Sequence, residues 1–141
     1  MEAAEARERF EAARVARLAT VAGDGRPHVV PITFALDGEL IVTAVDHKPK
    51  RTTALKRLAN IAENPRVSVL VDEYDDDWSR LWWARADGTA SVVEPEARER
   101  ERLAQLLAAR YAQYRGQPPA GPAILIAVER WSGWSATDGG A

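Results

Sequence analysis

Between residues 15 and 45 three apolar, strand-like runs follow one another with only short turns between them, and this restricts the fold more than any other feature of the chain. Val15, Leu18, Thr20 and Val21 read as a strand that closes at Gly23-Asp24-Gly25, a turn of residues that tolerate positive φ. Pro27 to Leu36 is the second run, with Val29, Val30, Ile32 and Phe34, and it ends at Asp37-Gly38, a strong short hairpin signal. The third run is Glu39 to Val45, with Leu40, Val42 and Ala44 on one face and Ile41, Thr43 and Val45 on the other. Apolar residues on both faces predict a strand covered on both sides. A doubly wound parallel sheet needs a helix between successive strands, and there is no room for one here.

The period changes after residues 48–51. Leu55, Leu58, Ala59 and Ala62 recur at helical spacing, which predicts an amphipathic helix started by Thr52 or Thr53 and stopped at Asn64-Pro65. A shorter helix is expected over residues 2–14, anchored by Phe10, and another from about Pro95 to 115, with Leu103, Leu106, Leu107, Tyr111 and Tyr114 on one face. Val67, Val69 and Val71 share one face of a strand that runs out into an acidic loop at 72–77. A further strand through Leu81, Trp82 and Trp83 is expected to turn at Asp87-Gly88 and return through Val93, and a last one runs from Ile124 through Trp134. The sum is a small antiparallel barrel with helices plugging its gaps, in one domain over residues 1–141.

Composition narrows the chemistry. The chain has no cysteine and two histidines, which excludes disulfides, thiol nucleophiles, zinc fingers and iron–sulfur clusters and leaves no dedicated metal site in view. A net charge of −2 from 19 basic and 21 acidic residues argues against nucleic acid as a partner. No membrane span is expected, and the charged stretch from Met1 to Arg9 is unlike a signal peptide, so the expected location is the cytoplasm. Glycine-rich phosphate loops, dinucleotide fingerprints and the Gly-x-Ser-x-Gly elbow are absent.

Two features remain. Lys48, Lys50, Arg51, Lys56 and Arg57 gather five cations, including every lysine of the chain, where a strand delivers them to a helix N-terminus. Such a place is either a solvated basic face or a phosphate site, since free backbone N–H groups and the helix dipole favour an anion. Five tryptophans, Trp78, Trp82, Trp83, Trp131 and Trp134, exceed what a small core needs. Adjacent Trp82 and Trp83 must face opposite sides of a strand, and the outward one calls for cover by a second subunit or a flat aromatic cofactor.

The ordered set Gly25 to Ile32, the Asp37-Gly38 hairpin, Val42 to Val45, and Arg57, Asn60, Ile61, Asn64, Pro65, Arg66 and Val67 resembles the pyridoxamine 5′-phosphate oxidase-like split β-barrel proteins. Pro49 to Thr53, Val71-Asp72, Tyr74 and Asp77 to Trp83 are more particularly similar to an actinobacterial branch that uses coenzyme F420, and the likeness extends from Ala16 to Trp134. The resemblance implies a mainly β fold with α, an FMN-binding-like split barrel, and a homodimer with cofactor sites at the subunit interface. It implies an oxidoreductase that transfers hydride between reduced deazaflavin and a small unsaturated acceptor. The alternatives are an FMN enzyme of the same fold and a non-catalytic flavin, deazaflavin or haem binder. By position, Pro31, Ile32 and Thr33 would run along the cofactor ring, Ala44 and Val45 would back it, and Lys50, Arg51, Lys56 and Arg57 would hold phosphate. The family often has Lys where Arg57 stands. Cofactor-borne chemistry fits a chain with no other catalytic apparatus.

Overall fold

The structure is a computed structural model that describes residues 1–45 and 51–137, with residues 51–55 described by their backbone alone. The chain runs through α1 (Ala3–Ala12), β1 (Ala16–Val21), β2 (Pro27–Ile32), β3 (Ala35–Asp37), β4 (Leu40–Ala44), α2 (Arg51–Glu63), β5 (Arg66–Glu73), β6 (Trp82–Val93), α3 (Arg100–Arg110), α4 (Ala112–Gly116) and β7 (Ala123–Ser135). All seven strands join one sheet in the order β2-β1-β5-β6-β7-β4-β3, and every pairing is antiparallel.

That order closes the sheet on itself. Its two outer strands, β2 and β3, are separated in the chain only by Thr33 and Phe34. In a flat sheet they would stand about 29 Å apart, six strand spacings of about 4.8 Å. Three Cα steps span about 11 Å at most. The sheet therefore rolls up until its edges meet, and among the described residues no pairing joins β2 to β3, so the barrel is split along that seam.

Two tyrosines hold the link. The Tyr111 hydroxyl accepts from the Phe34 N–H at 3.1 Å and lies 3.0 Å from the carbonyl oxygens of both Phe34 and Arg14, to one of which it donates its single proton. The Tyr114 hydroxyl pairs with Thr33 Oγ1 at 2.8 Å. The Arg110 guanidinium lies 4.8 Å over the Phe34 ring and bonds the carbonyl of Ala13, which ties α3 to the end of α1 as well.

The barrel interior is apolar, with Leu18, Ile32, Ile41, Val69, Val71 and Ile126 among its buried side chains. α1 covers it by inserting Phe10, which is fully buried 4.9 Å from Phe34 and 5.2 Å from Trp131. Gly133 is set by close approach of the neighbouring strand and the chain start, because a Cβ there would lie 2.8 Å from the carbonyl oxygen of Trp83 and 2.5 Å from Met1 Sδ. A second cluster packs outside the barrel under α3, where Val42, Ala44 and Val93 meet Leu103 and Leu107. β4 is thus covered on both faces, Ile41 inside and Val42 and Ala44 outside, as its sequence predicts. Arg100, 5% exposed, donates to the carbonyls of Pro119 at 2.6 Å and Gly121 at 2.9 Å and pins the loop before β7 beside Val45.

Four expectations need correction. The run from Pro27 to Leu36 is two strands, because the chain changes edge at Thr33-Phe34. Asp87-Gly88 is a bulge inside one long strand, not a turn: Asp87 pairs with Arg130 and Gly88 with Val128, leaving Glu129 extra on β7, and a Cβ at Gly88 would collide with the Ala127 carbonyl. Pro95 lies in a turn ahead of α3, which begins at Arg100, and the helix breaks at Tyr111 rather than running on to 115. On α2, Ala59 and Ala62 are exposed, and the buried face carries Asn60 and Ile61. Among the described residues no helix is long and apolar enough to cross a membrane.

Replacing Tyr111 by Phe removes the bonds at Phe34 and leaves its N–H without a partner in a half-buried place. Chemical denaturation should show a loss of about 1–2 kcal/mol.

Candidate functional site

α2 carries the basic residues, and a buried polar bond fixes its seat. Asn60 Nδ2 donates to Thr20 Oγ1 at 3.0 Å, with the two residues 4% and 1% exposed, so α2 is locked across β1. Asn64 ends the helix: its Oδ1 accepts from the Arg66 N–H at 3.1 Å, and Pro65 prevents continuation. Arg57 stands three residues before Asn60 and shares its face. Its Nε is buried and meets no hydrogen-bond acceptor among the described residues, and burial pushes the guanidinium below its ordinary value. A half-buried cation with no carboxylate partner among the described residues is suited to take an anion such as a phosphate. Lys56, next to it, is exposed. Lys48 and Lys50 lie outside the described residues, as does His47, and of Arg51 the structure describes the backbone at the start of α2.

The predicted ring residues sit on the split. Pro31 is exposed, Ile32 is 5% exposed with its side chain in the barrel core, and Thr33 is half-buried against Tyr114. Ala44 packs under α3 and is 8% exposed; Val45 is 6% exposed and its N–H donates to the Pro122 carbonyl at 2.8 Å. The fold therefore brings 31–33 to the unpaired edge and gathers 56 and 57 on one helix, while the side chains of Ala44 and Val45 are taken up by the chain's own packing. Three groups near these residues escape a reading of the sequence alone. Tyr111 and Tyr114 look there like part of an apolar helix face, yet their hydroxyls bond the 33–34 link. His28, in register with Thr20, has a buried Nδ1 that meets no hydrogen-bond partner among the described residues.

Elsewhere the outer surface is grooved. Leu70, Asp72, Glu73, Tyr74, Leu81, Trp82, Trp83, Arg85 and Trp134 line a recess of about 370 Å³ at one end of β5, β6 and β7. None of the predicted site residues lines it. Trp82 packs against the barrel core and Trp83 faces outward, the division expected of adjacent strand residues. A single 3-10 turn, Trp78–Arg80, precedes β6. Asp77 caps it, its carboxylate accepting from the Ser79 N–H and hydroxyl, and these bonds hold the Asp77 carboxyl below its ordinary value. Among the described residues no group of three or more His, Asp or Glu side chains is placed to hold a metal ion.

Comparison with known proteins agrees with this architecture. A curated reductase of Streptomyces rimosus, 5a,11a-dehydrotetracycline/5a,11a-dehydrooxytetracycline reductase, is 38% identical over 90 residues, which is 60% of this chain and 58% of the relative; the match thus spans less than two thirds of that protein. A conserved hypothetical protein of Mycobacterium tuberculosis superposes with a TM-score of 0.75 at 23% identity, covering 96% of this chain and 86% of its own. An FAD-binding protein of Mesorhizobium loti superposes at 0.72 with 24% identity, covering 94% of each chain. These two likenesses show the fold, a split barrel that is mainly β with α. The family description "Pyridoxamine 5′-phosphate oxidase" matches residues 3–135, nearly the whole length, and the chain belongs to that family.

Proposed function

We propose that this protein is a reductase-type oxidoreductase that binds a phosphate-bearing flavin or deazaflavin, coenzyme F420 in preference to FMN, and acts as a cytoplasmic homodimer on a small unsaturated acceptor. The observation that carries the reading is Arg57, a desolvated guanidinium with an unpartnered Nε on the helix that follows β4. Support comes also from the family, from the reductase activity in the name of the Streptomyces relative, and from the flavin in the name of the Mesorhizobium neighbour.

In this reading Arg57 and Lys56 hold phosphate, with Lys50 and Arg51 at the entry to the helix. Arg57 serves as the desolvated partner and Lys56 as the exposed one. Pro31, Ile32 and Thr33 present an unpaired backbone edge to the ring, and the Tyr114 hydroxyl sets the direction of the Thr33 hydroxyl. Ala44 and Val45 back that edge through main chain, since their side chains are buried under α3 and against the loop at 121–122. The bound cofactor supplies hydride transfer. The preference for F420 rests on charge: its phosphodiester and polyglutamate tail carry more negative charge than the single phosphate of FMN, and five cations in the sequence suit the longer anion.

Arg57→Met separates binding from folding. It should weaken cofactor binding by about 1.5–3 kcal/mol, roughly 10- to 150-fold in a fluorescence titration. The unligated variant should melt at the parent's temperature or above it, because the substitution removes a half-buried charge that has no carboxylate partner among the described residues. Unchanged binding assigns the basic group to a solvated face.

Turnover tests the activity itself. The purified protein, running at about twice its 15.5 kDa, should oxidise reduced F420 only when an enone or quinone is supplied. Bound FMN with no affinity for F420 moves the assignment to a flavin enzyme. Tight F420 binding with no oxidation across a panel of acceptors makes the protein a carrier.

A further inference from the structure

We infer that the recess at the end of β5, β6 and β7 is a second ligand site, selective for a flat ring that is neutral or cationic rather than for any part of the anionic cofactor. This selectivity stands on the recess alone and not on the oxidoreductase reading.

The walls are aromatic and held in place. Trp83 and Trp134 stand directly opposite each other across β6 and β7, and Trp134 is 39% exposed. Arg85 lies 5.6 Å over the Trp83 ring and is itself fixed by Asp87 at 3.1 Å. Trp82 donates its Nε1–H to Glu73 at 3.0 Å, with Arg9 5.3 Å over its ring. Leu70 and Leu81 complete the apolar lining, and Tyr74, 69% exposed, stands at the rim. Prepositioned rings on a recess of about 370 Å³ offer stacking surface to a planar molecule without first ordering loose side chains.

Charge decides what kind of ring. Asp72 and Glu73 line the recess, and Asp75, Asp76 and Asp77 follow at once in the chain. The cations in reach are already matched: Arg85 by Asp87, Arg17 by Asp72 at 3.5 Å, Arg9 by Glu5 at 2.9 Å and Arg80 by Asp75 at 3.4 Å. An anion entering would meet carboxylates and no free guanidinium. A phosphate-bearing tail therefore belongs at Arg57 and not here. A quinone, an enone-bearing ring or an aromatic cation meets no such opposition.

The test is equilibrium dialysis of the whole protein against menadione, a neutral planar quinone, and against its anionic analogue 1,4-naphthoquinone-2-sulfonate. Menadione should bind saturably and at least ten times more tightly than the sulfonate. Trp134→Ala should weaken menadione binding tenfold or more, and Arg57→Met should leave it unchanged. Asp72→Asn combined with Glu73→Gln preserves the shape and should bring the sulfonate to within about threefold of menadione. Equal binding of the two probes by the parent, or full menadione binding by folded Trp134→Ala, overturns the site. So does an absence of menadione binding, the outcome if a second copy of the chain fills the recess. Cofactor binding is read separately from F420 fluorescence: normal F420 binding without menadione binding defeats the recess alone, whereas menadione binding without F420 or FMN binding defeats the cofactor reading and leaves the ring site standing.

Discussion

The two residues between β2 and β3 govern the rest of the molecule. Because Thr33 and Phe34 must join the outermost strands of a seven-stranded sheet, the sheet rolls up, an interior forms, and a seam is left along the edges that meet but do not pair. Closure creates the space that Phe10 fills and the outer surface that α3 covers. Rolling a sheet so far leaves backbone polar groups exposed at the seam. Tyr111 satisfies those of Phe34 at the link, and Tyr114 bonds the Thr33 side chain, which thereby becomes a fixed hydroxyl on an open edge.

Much of this architecture is legible in residue patterns, and the exceptions share a cause. Both-face apolarity in Leu40 to Val45 announces two layers of cover, and the structure supplies them as barrel core and α3. Period-2 burial of Val67, Val69 and Val71 appears as expected. What stays hidden depends on distant partners. Nothing local in Pro27 to Leu36 marks a change of sheet edge, since Thr33 and Phe34 are good strand residues whose break is imposed by closure and by tyrosines nearly eighty positions away. Asp87-Gly88 has the chemistry of a turn, but the glycine is there because the Ala127 carbonyl comes too close for a Cβ. On α2 the alanines suggested the buried face, whereas a polar pair, Asn60 with Thr20, rotates the helix so that Arg57 is drawn under cover.

The same rotation makes the candidate site legible only in part. Sequence places a basic group near a helix start, but it does not single out which cation is desolvated. Burial of the Arg57 Nε does, because a fully solvated face would leave that nitrogen open to water, and no acceptor among the described residues meets it. The molecule then separates its charges: unpartnered basic character on α2, and carboxylates with paired arginines around the tryptophan recess.

The central claim is that Arg57 waits for a phosphate. Paired titrations with and without that group address it most directly: FMN against riboflavin, and F420 against the deazaflavin that lacks its phosphate and tail. The account predicts that removing the phosphate weakens binding at least tenfold in each pair, and that the difference disappears in Arg57→Met. Equal affinity of the phosphorylated and unphosphorylated forms for the parent protein would contradict it.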